Sequence, residues 1–129
     1  MVTHEPVRVL VLCDDQWHPA ATVRAGLAPL SGTFGFDFIE DAREWSAERM
    51  AGYPAVLLSK SNQVSSRDHA PWVDDAVGAA FVEHVRGGRG LVAIHSGTAG
   101  YQEQPVLRGL LGGVFDRHPE QCVVTVAPR

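Results

Sequence analysis

Lysine is nearly missing from this chain. Of its 11 basic residues only Lys60 is a lysine, and acidic residues outnumber basic ones 15 to 11, for a net charge of −4 and a pI near 5.8. A surface built to hold nucleic acid or an anionic membrane needs a basic patch, so that balance argues against both partners. Cysteine is scarce too. Cys13 and Cys122 are too few and too far apart for a disulfide scaffold or a four-ligand zinc site. Each lies in or beside an apolar run and reads as a reduced, mostly buried thiol. No apolar run approaches the ~20 residues that span a bilayer, and "MVTHEPVRVL" lacks the basic-then-apolar layout of a signal peptide. The expected location is cytoplasmic. No internal repeat, low-complexity tract or linker interrupts the sequence.

What is present is an ordinary globular composition: 129 residues, 45% hydrophobic and 20% charged, enough for one domain over residues 1–129 with a real core. "VRVLVLCDD" is a near-continuous apolar run ending in two carboxylates, the pattern of a strand buried on both faces. "HPAATVRAGLAPL" places Val23, Leu27 and Leu30 at helical spacing, with Pro19 suited to a first turn. "FDFIED", "PAVLLSKSN", "GLVAI" and "QCVVTVAP" are further strand candidates. Short helices fit "AREWSAERMAGY" and "QEQPVLRGLLGG". In "WVDDAVGAAFVEHVRGG" Val73, Val77, Ala80, Phe81, His84 and Val85 form one apolar stripe, closed by Gly87 and Gly88. Alternating strands and helices predict an α/β sandwich with a mainly parallel sheet.

Sites in such sheets form at the carboxyl ends of the strands. Asp14, Asp15, Gln16, Trp17 and His18 leave the first strand, Ser59 to Asn62 the third, and His95, Ser96, Gly97 and Thr98 the fourth. The opposite edge carries plain connectors. His95 is a candidate metal ligand or acid/base group, since imidazole titrates near neutral pH and binds zinc; the plainer reading is a histidine that pins a tight turn. Ser96 is a candidate nucleophile, although I-H-S-G-T lacks the G-x-S-x-G elbow pattern, and a hydroxyl capping the next turn is the simpler role. Asp14 and Asp15 suit a ligand or a carboxylate behind a metal-bound histidine. Lys60 and Asn62 suit an anionic or polyhydroxyl ligand. Trp17 and Tyr101 offer an apolar platform for a sugar ring, or pack into the fold. His84 reads as structural, and His69 as a loop residue.

Taken together, "VLVLCDDQWHPA", "LLSKSN", "GGRGLVAIHSGTAGY" and "GGVFDRHPEQ" resemble the trehalose-utilization (ThuA-like) family, across nearly the whole chain. The resemblance implies a class I glutamine amidotransferase-like fold: a flavodoxin-like three-layer sandwich with a mainly parallel sheet and at least one antiparallel strand. It implies a pocket at the strand ends and a link to carbohydrate metabolism. Family members are longer, so residues 1–129 are expected to lack a C-terminal segment of the family. The fold's glutaminase members carry a cysteine at the turn after the fourth strand. Here His95 and Ser96 stand there, so glutaminase activity is not expected.

In that fold an antiparallel strand follows the nucleophile strand and its helix. Were Gln121 to Val126 that strand, His118 would reach the rim that holds His18 and His95. A divalent metal such as zinc on His18, His95 and His118 is the resulting candidate centre. The expected ligand is a small, sugar-like molecule. The alternatives are a non-catalytic binding domain and an oligomerising one, a homo-oligomer.

Overall fold

The computed structural model describes residues 5–129. Four strands, β1 (Val7–Leu12), β2 (Phe34–Ile39), β3 (Ala55–Leu58) and β4 (Gly90–Ala93), alternate with four helices, α1 (Ala20–Leu27), α2 (Ala47–Ala51), α3 (Asp75–Arg86) and α4 (Pro105–Leu111). Every strand pairing is parallel, in the order β2-β1-β3-β4. The apolar runs of β1 and β3 occupy the two central positions, where both faces must be covered.

Alternation along these strands sends side chains into two cores. On one face Leu10, Leu12, Val56 and Leu58 meet Met50 of α2, Phe81 of α3 and Leu107 of α4. On the other, Val11, Cys13 and Leu57 meet Ala20, Val23 and Leu27 of α1, with Phe36 and Phe38 of β2. Each Leu or Val withdrawn from water in this way contributes ~1.5–3 kcal/mol. Trp45 stacks on Phe81 at 6.0 Å between ring centres, and Trp72 meets both edge-on. Asp74 caps α3 by accepting from the Val77 amide. Helices on both faces make a three-layer α/β sandwich. Strand order reverses direction between β1 and β3, and ligands of doubly wound sheets bind outside the carboxyl ends at such a reversal.

Two expectations are corrected here. Residues 121–126 form no strand, and the described residues contain no antiparallel strand. "CVVTV" has strand propensity, but a strand is stable only within a ladder that buries one of its faces. Val123 is 99% exposed, and after α4 the chain pairs only at an isolated parallel bridge between Ala99 and Phe115, outside the sheet. β4 therefore has one open side, and Val92 within it and Ile94 just after it are about half exposed. Cys122 lies in the same exposed segment and is not a buried thiol, whereas Cys13 is fully buried, and burial pushes its thiol up to about 12. Among the described residues, no helix is long and apolar enough to cross a membrane.

Candidate active site

The carboxyl end of β1 breaks at Asp14, whose φ of 77° lies in the left-handed region that aspartate tolerates better than most residues. The turn aims both of its oxygens at backbone. Oδ1 accepts from the Ala20 amide at 3.0 Å and Oδ2 from the Ser66 amide at 2.8 Å. Asp14 thus caps the start of α1, which Pro19 cannot do. Asp15 is fully buried. Its Oδ2 accepts from the Ser61 amide, tying β1 to β3, and its Oδ1 accepts from the amides of Trp17 and His18 and from His18 Nδ1, all at 2.9–3.0 Å. Burial works against both charges, but the hydrogen bonds outweigh it and hold both carboxyls below the ordinary aspartate range.

Lys60, at the end of β3, is 1% exposed and donates through Nζ to the Asp14 carbonyl. Burial pulls its ammonium below the usual lysine range, partly offset by the charge of Asp14. Tyr101 is also fully buried, donating its hydroxyl to the Lys60 carbonyl at 2.6 Å, and burial pushes the phenol up. Asp15, Lys60 and Tyr101 are therefore buried polar groups at the strand ends, with Asp14 partly exposed beside them.

The turn after β4 is a single 3₁₀ turn, His95–Thr98. His95 has φ 52°, the strained strand-to-helix conformation that in an elbow thrusts one side chain out of the sheet edge. Gly97 allows the turn to lie directly on β3, since a Cβ there would stand 1.9 Å from the Leu58 carbonyl oxygen. The turn brings His95 Nε2 within 2.8 Å of His18 Nε2, the rings meeting edge to face at 89°. Two imidazole nitrogens at that distance share one proton, because facing lone pairs repel and facing N–H groups collide. An ionised Asp15 can only accept, so His18 Nδ1 donates to it. In the neutral pair His18 Nε2 is then the acceptor and His95 Nε2–H the donor. The result is a continuous chain, Asp15–His18–His95.

The pair forms one wall of a cavity of about 690 Å³, lined also by Trp17, Ser61, Asn62, Gln63, His69, Ser96, Gln102, Phe115, Asp116 and His118. Four of the six histidines surround it. Trp17, 63% exposed, presents a broad apolar face. The Asn62 Oδ1 accepts from the Trp72 and Val73 amides, both at 3.0 Å, and the Gln63 Oε1 from the Gln16 amide at 3.0 Å. Both side-chain amides are therefore locked, and their NH2 groups donate to no other described residue. The hydroxyls of Ser61 and Ser96 are buried without a partner. Ser96 accordingly has no base bonded to it.

Two nitrogens on one tetrahedral zinc stand about 3.3 Å apart, farther than the 2.8 Å found, and His118 packs on Phe115 at 4.8 Å between ring centres, tilted by 58°. Among the described residues no group of three His, Cys, Asp or Glu side chains is arranged to hold a metal ion.

A family model described as ThuA, trehalose utilisation, matches residues 8–129. The chain belongs to the ThuA family. No curated protein and no solved structure matches it. In this ThuA domain the expected residues divide into two sets. Trp17, His18, Asn62, His95, Ser96 and His118 line one cavity, while Asp15, Lys60 and Tyr101 are buried and Asp14 partly exposed, none of the four lining it. The cavity also recruits Gln63, His69, Gln102, Phe115 and Asp116, which the sequence did not single out. Gln63 directly follows Asn62 and was legible by position. His69 reaches the site through a loop whose path no local pattern gives.

Proposed function

We propose that this ThuA domain binds a carbohydrate derivative in the cavity at the ends of β1, β3 and β4, and that His95 serves there as the acid/base group. The observation that carries this reading is the 2.8 Å contact between His95 and His18, backed by the buried carboxylate of Asp15. A carboxylate behind a histidine fixes its tautomer and stabilises the imidazolium formed when a proton arrives, as in hydrolase triads. The family's association with trehalose utilisation supports a sugar-like ligand. Trp17 supplies a platform for a sugar ring, and the Asn62 and Gln63 amides supply donors. Glutaminase activity forms no part of this reading, since neither Cys13 nor Cys122 lines the cavity.

Titration of trehalose, glucose and sorbitol into 15N-labelled protein should give saturable shifts at Asn62 and Gly100. Trp17→Ala should weaken binding about tenfold, as loss of one well-placed aromatic contact implies. His95→Asn, which keeps a residue tolerant of positive φ, should leave binding within about threefold. Absence of saturable shifts with every carbohydrate tested would refute the reading. Open exposure of Val92 in β4 and of Ile94 just after it favours self-association as a second property of the domain.

A further inference from the structure

We infer that the ligand is a polyhydroxy ketone or aldehyde and that His95 removes a proton from the carbon beside its carbonyl; the inference rests on the binding and acid/base reading above. Three observations converge on it. First, the described cavity wall carries a single carboxylate, Asp116. Asp15 is buried and already accepts four hydrogen bonds. The paired carboxylates used in glycoside hydrolysis are therefore not offered by this wall. Second, the hydrogen-bonded chain gives His95 a proton sink. His95 Nε2–H already points to His18 Nε2, and His95 Nδ1 accepts from no described residue, so it is the basic nitrogen. Third, the locked amides of Asn62 and Gln63 offer N–H donors whose orientation is fixed before a ligand arrives. Pre-oriented donors suit a carbonyl oxygen that becomes an oxyanion.

The step balances with no other reactant. The C–H bond beside the carbonyl breaks, and its proton goes to His95 Nδ1. The electron pair forms the C=C bond of an enediolate, whose oxygen lies on the Asn62 and Gln63 amides. His95 passes its Nε2 proton to His18, and the charge on His18 is met by Asp15. Reversal returns a proton, exchanged with solvent, from the same histidines to the same carbon, so the outcome is hydrogen exchange.

The test is proton NMR of dihydroxyacetone and of D-fructose in D2O with the intact protein. The expected result is loss of the signal beside the carbonyl at least tenfold faster than in buffer. That rate should fall to the buffer rate in His95→Asn, since a general base contributes ~10²–10⁴-fold. It should fall at least tenfold in Asn62→Asp, which keeps the acceptor for Trp72 and Val73 but removes the N–H donors. Melting curves of both variants establish that they fold. Saturable sugar binding without exchange would overturn this inference and leave the binding reading standing. Exchange unaffected by His95→Asn would overturn it as well, and loss of all carbohydrate binding would take both down.

Discussion

Gly97→Ala should destabilise the domain by ~3 kcal/mol or more and lower its melting temperature by about 10 °C. The added Cβ would meet the Leu58 carbonyl oxygen at 1.9 Å and the carbonyl carbon at 2.8 Å. Neither atom can yield cheaply. Leu58 is in β3, fully buried, and its carbonyl also receives the Ile94 amide at 2.9 Å. Relief requires the 95–98 turn to lift from the sheet, which separates His95 from His18. The matched control is Gly26→Ala in α1, where the new methyl meets nothing within 4 Å. Alanine there gains helix propensity and should stabilise by up to ~1 kcal/mol. Thermal melts of the two variants should therefore move in opposite directions, and a Gly97→Ala melt within 2 °C of the parent would refute the close approach.

Asp15→Ala should cost about 3–5 kcal/mol, the range found when one member of a buried charged arrangement is removed. It strips the acceptor from three backbone amides and from His18 Nδ1 in a single change. Because the folded carboxyl titrates below its unfolded value of ~3.9, the native state binds fewer protons than the unfolded chain between the two values. The stability that Asp15 contributes is complete above about pH 5 and is lost as pH falls through the folded value. Urea unfolding of the parent and of Asp15→Asn, compared at neutral pH and near pH 3, should show the gap between them narrowing in acid. A gap that stays constant or widens would show that the charge is not what Asp15 contributes.

The four strands and the helices around them were legible because burial writes itself into period. The run Val7–Leu12 has no polar interruption on either face after its first residues, and the stripe on α3 ends where two glycines stop it. Residues 121–126 misled for a related reason: "CVVTV" is rich in β-branched residues like a strand, but pairing depends on a partner edge that the pattern does not contain. At the site, His18, Asn62 and His95 were readable as strand-end polar residues. The division of labour among them was not. Asp15 and Trp17 are two positions apart, yet one is sealed and the other 63% exposed. That difference comes from the left-handed turn at Asp14, and nothing in the residue types announces which carboxylate faces inward.

Lys60 has a consequence outside the site. The chain has one lysine, and it is 1% exposed with its ammonium held against the Asp14 carbonyl. To an acylating reagent or a lysine-seeking modifying enzyme the folded domain presents no side-chain amine at all, since reaction needs both access and a free lone pair. Only opening of the β1–β3 end releases one. Amine labelling at a single internal position thus reports the opening that exposes Lys60, with a time base set by the fold once the reagent reacts faster than the opening recloses.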